Sequence, residues 1–532
     1  MKNKKETLLI LTILITICII IFNRDKLYEA KYIEPKDTLL AITINGEIST
    51  TFPTTNAYIG TVECTTGTGK VEWNGTKWVL TTSGITKGST KCNATFITKV
   101  PTLAEAILAN NEVQTPLTTP GKEVSAHTKD DVESKSTSVS STYQAYYITY
   151  GIGWTANGTK FNLTGAAVTS DTYANSYSSL VGKYLPNSSL SSAGSKTAGT
   201  MKTTTNLSSV YYIVSATSSS FTYKVISSNK NTTEALLAST SDDYGISYYF
   251  RGAVKNNYVE FANKCWRIVR IVGDGSVKLI LHNDNKAGAA NPCASANNST
   301  SAAFARYSGT TYKSTFNTNY NDNAYVGFMY GTPGSRTHAA THANTNKSTI
   351  LTNLETWYNN NLKTYESVID DNVWCNDKIN VTDTTFNPWN WSNVNGLGYA
   401  KNVTYYGATQ RLVSKSGSAG GTGPSLKCNG ELSKITSKVG LITADELAFA
   451  GSIFATYNRS TYLQENTGTT WWWSLSPSNF IGDYAGVWIV DSGYLNDGGV
   501  DGDGGLRPVI SLISSTNVTG DGTSENPYVV EK

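Results

Sequence analysis

The 532-residue chain has little of what most enzymes and nucleic-acid binders are built from. Charged residues make up 16% of it, there are only four His and three Met, and the formal net charge is +3. No basic stripe stands out, which argues against nucleic acid as a partner. No Gly-x-Ser-x-Gly, His-Glu-x-x-His or phosphate loop occurs. There is no Cys-x-x-Cys, and the four His are not paired with the seven Cys at zinc-ligand spacing. Adjacent acids at Asp242-Asp243, Asp370-Asp371 and Asp445-Glu446 are the usual furniture of solvated turns and helix starts. The reading is therefore of a non-enzyme, with no catalytic residue and no cofactor.

Long apolar runs are scarce too. The one that matters, Thr7 to Phe22, follows the basic start Met1-Lys2-Asn3-Lys4-Lys5-Glu6. It is short against the roughly 20 residues of a bilayer span, yet usable with snorkelling flanks. No small-x-small cleavage site follows, so an uncleaved signal anchor is favoured over a cleaved signal peptide. The expected layout is a cytoplasmic tail (1–6), a single-pass transmembrane anchor (7–23) and a charged stalk (24–38), with the bulk of the chain extracellular.

Of the seven Cys, Cys18 sits in the apolar run and the other six form an even set in the exported part. That suggests disulfides. Locality pairs them as Cys64–Cys92, Cys265–Cys293 and Cys375–Cys428.

What the chain does have is Tyr (32), Gly (45) and many Thr, Ser and Asn, a mixture that suits a multidomain, β-rich protein. Residues 39–100 read as a small β-sandwich-like domain. In it Asn74-Gly75 marks a hairpin, and an early-to-late disulfide with buried Trp resembles an immunoglobulin-like fold. Residues 101–141 read as a helix and linker. Thr102 and Glu105 make a capping box for Leu103–Ala109. Residues 142–229 read as a β-rich domain of no assigned family, with a candidate helix over Tyr173–Lys183. After a helical turn at Thr233–Leu237, residues 230–515 carry a Gly-Asp-Gly hairpin at 273–275 and two helices, one near Ile350–Leu362 and one at Thr443–Gly451 capped by Thr443 and Glu446. Residues 516–532 read as a tail that ends in one more edge strand.

The most informative stretch runs from Trp471 to Leu512. It opens with Trp471-Trp472-Trp473-Ser474-Leu475-Ser476-Pro477, a strand closed by proline. It ends with Gly505-Leu506-Arg507-Pro508-Val509-Ile510-Ser511-Leu512, a second strand. Between Asn479 and Gly505 there is no Lys, Arg, Glu, Gln or Met. Apart from Trp488, each residue there can be encoded by changing the first two bases of an Asn codon.

This frame resembles the C-terminal part of bacterial C-type-lectin-like surface domains, which share a fold with the formylglycine-generating-enzyme group. Some of these are variable proteins of diversity-generating retroelements. The resemblance covers roughly the C-terminal half. It implies an α+β C-type-lectin-like domain whose N-terminal strands pair with the strand at Arg507–Leu512. It also implies ligand contacts at Ile481, Asp483, Tyr484, Ile489, Asp491, Tyr494, Asn496, Asp497, Asp501 and Asp503. Tyr, Asn and Ser among them suit an adaptable contact surface. Asp497, Asp501 and Asp503 are also a calcium candidate, although no full calcium loop is present. His338 and His342, four apart, read as surface or hydrogen-bonded residues of a loop. The implied function is ligand binding or adhesion to a protein or glycan, by a protein of the bacterial cell membrane. The alternatives are a structural cell-envelope protein and, third, an enzyme of the formylglycine-generating fold group.

Overall fold

The computed structural model describes residues 39–86, 88–122, 234–394 and 396–530, with shorter segments between 134 and 227. The expected tail, anchor and stalk (1–38) lie outside the described residues, as does most of Tyr173–Lys183. Among the described residues no helix is long and apolar enough to cross a membrane. The structure is β-rich, with 37% strand against 15% helix, spread over several sheets. It divides into two units, Met1–Val100 and Pro101–Lys532.

In the first unit β1 (Leu39–Ile44), β2 (Glu47–Ser49), β3 (Tyr58–Cys64) and β6 (Lys91–Thr98) form one sheet in the order β2-β1-β6-β3. The hairpin β4 (Thr68–Trp73) and β5 (Trp78–Ser83) forms a second layer. Ile42, Val71, Trp78, Ala94 and Phe96 fill the space between. The layers meet so closely that a Cβ at Gly69 would lie 2.4 Å from Val62. The disulfide Cys64–Cys92 joins directly opposed residues of neighbouring strands in one sheet, not the two layers.

The second unit begins with α1 (Leu103–Asn110), capped by the Thr102–Glu105 box. Its Leu103 and Ile107 are buried in the same core as Val518 and Tyr528. The helix and the expected C-terminal tail are thus structural parts of this core. After α1 the chain pairs Val113 with Leu237, and Thr118 donates to Glu234 Oε1 at 2.6 Å. The β-rich segment of 142–229 is therefore an insertion that leaves and re-enters this unit. Ser134–Ser138, expected in a linker, is a strand paired with Ser220–Ser227. The helical turn expected near Leu237 is also a strand, β7 (Ala235–Ser241).

The main sheet is centred on β10 (Lys264–Ile271), which is buried along its whole length. Along one edge it pairs with β8 (Ile246–Gly252) and β9 (Tyr258–Phe261), and along the other with β11 (Val277–Asn283). The partner of β7 is β8. Beyond β9 lie β16 (Val518–Thr519) and β17 (Tyr528–Val530), with β17 parallel to β9. Beyond β11 lies β15 (Val509–Leu512), antiparallel, so the late strand does pair with an early one. Chain entry and exit also meet: Leu103 N–H donates to Thr516 O at 2.8 Å and Val518 N–H to Pro101 O at 3.0 Å.

A second sheet carries the meander β12 (Trp472–Ile481), β13 (Tyr484–Asp491) and β14 (Tyr494–Gly499). Pro477 does not close β12. The strand runs through it, with register shifts on either side, as a residue without an N–H requires. Further helices join α1 in flanking the core, among them the short Gly407–Leu412. In α2 (Thr349–Asn361), capped by Ser348, the residues Leu351, Leu354, Trp357 and Tyr358 are buried. In α3 (Ala444–Ala450) the capping box is Thr443–Glu446, and Gly451 ends the helix at φ 114°. The disulfides Cys265–Cys293 and Cys375–Cys428 form as paired from the sequence.

Candidate binding surface

Two tight turns define the meander. Gly482 and Asp483 have φ of 56° and 64°, and Ser492 and Gly493 have 49° and 101°. Two left-handed residues in succession give the hairpin turn whose twist matches the strands. The flanking pairs are Ile481 with Tyr484 and Asp491 with Tyr494.

The ten residues implied by the resemblance fall into different environments. Asp483, Tyr484, Tyr494, Asn496, Asp501 and Asp503 are exposed, while Ile481, Asp491 and Asp497 are half-buried. Ile489 is only 7% exposed. It is a core residue, because β13 is central in the meander and Gly498, diagonally across on β14, leaves its side chain room. A Cβ on Gly498 would lie 3.2 Å from Ile489 Cδ1. Ile481 packs against the cluster of Val381, Phe386 and Tyr405.

Asp497 faces the other side of the sheet, where it accepts a 2.8 Å bond from Asn479 Nδ2. The amide reaches it across Gly486, whose missing Cβ would stand 3.0 Å from Asn479 Oδ1. Burial pushes the Asp497 carboxyl up, and the Asn479 donor partly offsets this. Asp497, Asp501 and Asp503 do not gather into a calcium set. Among the described residues no three His, Cys, Asp or Glu come together to hold a metal.

Nor do the exposed residues form one patch. Asp483 and Tyr484 stand at the first turn and Tyr494 at the second, which the length of β13 separates by roughly 23 Å at ~3.3 Å per residue, while Asn496 lies within β14 and Asp501 and Asp503 follow it. At the first turn the ring of Tyr484 stacks on Tyr320, with centroids 4.4 Å apart and planes at 11°. Trp391 stands against Gly482, 3.4 Å from where a Cβ would be. Lys401 Nζ lies 3.9 Å from Asp483 Oδ1. At the second turn Tyr494 and Tyr457 rings are 5.3 Å apart, and Ser492 Oγ donates to Thr469 O. Tyr320, Trp391, Lys401 and Tyr457 were not legible as site residues. The one available signal was a Trp standing in the polar run Asn390-Trp391-Ser392-Asn393.

The frame beneath is rigid. Trp472 and Trp473 are buried, and Trp473 Nε1 donates to Ser314 O at 2.7 Å. Arg507 lies 4.9 Å over Trp472 and donates to the carbonyls of Leu281 and Leu463. Burial lowers the Arg507 guanidinium to about 9. Trp471 covers the Gly-rich run: a Cβ at Gly502 would stand 3.0 Å from its ring, and one at Gly504 2.3 Å.

Two other polar centres compete for attention. The first is a cavity of about 240 Å³ beside α3, walled by Arg270, Lys278, Arg411, Asp377 and Glu446. Its charges satisfy one another. Arg270 bonds Asp242 at 2.7 Å and Glu446 at 2.9 Å, Lys278 bonds Glu446 at 2.7 Å, and Arg411 spans Asp377 and Asp445. Burial raises the Glu446 carboxyl, but Lys278 and Arg270 outweigh it and hold it down at about 2. This is a clamp between α3 and the main sheet. The second holds His338 and His342. They lie on a one-turn helix, His338–Thr341, rather than in an irregular loop. Their rings are 4.5 Å apart, and their Nε2 atoms meet Lys378 O and Gly398 O at 2.8 Å each. Lys378 Nζ is caged by Met329 O, His342 O and Asn344 Oδ1. Burial without a neighbouring carboxylate lowers it to about 7. Both centres tie segments of the fold together.

No family model, curated protein or solved structure matches the chain.

Proposed function

We propose that this chain is a membrane-anchored bacterial surface protein that binds a protein or glycan outside the cell. In this reading a C-type-lectin-like domain presents the contacts, and the small sandwich-like and inserted β-rich segments serve as spacers. No chemistry is required of it. The observation that carries the reading is the contrast within Asn479–Gly505: Asp483, Tyr484 and Tyr494 stand exposed at two hairpin turns, while most of β12 and β13 is buried. Aromatic tips on a fixed scaffold give contact area at low entropy cost. The three disulfides suit an oxidising compartment. The pairing of β11 with β15 agrees with the early-to-late closure that the resemblance implies.

Comparing the gene among strains, together with its flanking DNA, tests the reading. Expected are substitutions concentrated at Asp483, Tyr484, Tyr494, Asn496, Asp501 and Asp503, with Gly486, Trp488, Gly502 and Gly504 fixed. A template repeat that differs at adenines should lie nearby. Drift spread evenly over tips and frame would count against a diversified binder.

A further inference from the structure

Trp391 is 47% exposed, the one tryptophan so placed among the described residues. A single exposed ring needs no explanation, but a second one close by marks a candidate contact. Its surroundings say which kind. Beside it is the Gly482–Asp483 turn, and two residues on is Tyr484, 46% exposed. Two residues span at most about 7 Å of chain, so one short ligand can reach both rings. Tyr484 is held by its stack on Tyr320, so little ordering remains to be done on binding.

The groups beside these rings include small and polar ones. Gly482 lies against Trp391, and Gly499 and the carboxylate of Asp501 flank Tyr484, with the exposed Asp483–Lys401 pair at the turn. A protein hot spot needs a surround that excludes water, and the flank of Tyr484 offers glycine and carboxylate instead. A sugar needs the opposite arrangement. The C–H face of a pyranose is drawn to the negative face of an aromatic ring, and its hydroxyls need acceptors and donors at the rim. Asp483 and Asp501 accept, and Lys401 donates. The Tyr320 hydroxyl, with Asp501 adding to it, raises the Tyr484 phenol above its ordinary value. It therefore stays a donor at neutral pH.

We propose that Trp391, Tyr484 and Tyr320 form a saccharide-stacking subsite, with Asp483, Asp501 and Lys401 as its polar rim and no metal in its recognition. This rests on the binding reading above and narrows it to a neutral glycan at the first turn.

The test is titration of the full chain, in detergent micelles with EDTA present, with chitotetraose, cellotetraose, laminaritetraose and mannotetraose. Binding is read by tryptophan fluorescence and calorimetry. At least one sugar should bind saturably. Trp391→Ala and Tyr484→Ala should each weaken it at least about tenfold, and Tyr244→Ala, at an exposed tyrosine outside the meander, should not. Circular dichroism melts of the three variants should match the parent. If none of the four sugars binds, or if either first-turn variant keeps its affinity, the proposal is wrong. Binding that appears only when calcium replaces EDTA overturns it as well. Strain variation concentrated at both turns, with no sugar bound, would leave the wider reading intact and remove only this one.

Discussion

Two tryptophans beside glycines behave in opposite ways. Trp471 lies over Gly502 and Gly504, where an added Cβ would overlap its ring at 3.0 and 2.3 Å. Trp391 lies beside Gly482 at 3.4 Å, an ordinary van der Waals distance. The first contact is a lock that makes glycine obligatory. The second is a loose contact at the surface, where glycine is needed only for its positive φ. A Gly-rich run that looks like one flexible loop is therefore two things: a packed frame, and tips free to change.

The largest break in this contrast comes from the frame. Glu446→Ala leaves Arg270 and Lys278 buried without their shared carboxylate and should cost about 3–5 kcal/mol in urea unfolding. The same group sets an acid limit. Its folded carboxyl titrates at about 2, below the ordinary value near 4.5. Its contribution is thus fully present above about pH 4.5 and fades as pH falls towards 2. Urea midpoints measured at pH 7, 4 and 3 should fall in that order in the parent and more weakly in Glu446→Ala.

A smaller break is Gly504→Ala, an overpacking change worth about 1–3 kcal/mol. Combined with Trp471→Ala it should cost measurably less, because the ring it strikes is gone. An additive double-mutant cycle would mean that the glycine is required for another reason.

The smallest effect is expected at the tips. Tyr494→Ala, Asn496→Ala and Asp503→Ala should each stay within about 0.5 kcal/mol of the parent. A larger loss would move that residue into the frame.

How much was legible follows from how local each signal is. The capping boxes at Thr102–Glu105 and Thr443–Glu446 span three residues and formed as read. The disulfides joined nearest Cys neighbours. What failed depended on distant partners. Ile489 reads as a tip residue until β14 is laid beside it and Gly498 gives it room. Thr233–Leu237 reads as a helical turn, yet Ala235–Ser241 is a strand that β8 pairs along its full length. Helix α1 seemed to lead into a linker because its core partners lie some four hundred residues on, as in the bond from Tyr528 Oη to Ala106 O. The candidate surface is half legible: Asp483 and Tyr484 belong to the diversified-looking stretch, whereas Tyr320 and Trp391 arrive from loops with no pattern of their own.

The meeting of chain entry and exit has a mechanical consequence. Tension that reaches this unit at Pro101 passes at once to Thr516 and Val518 through backbone bonds, and from there through β16 and β17 to β9. The turns at Gly482 and Ser492 belong to the other sheet, off that load path. A pull applied at Pro101 would therefore load these backbone bonds before it reached the two turns.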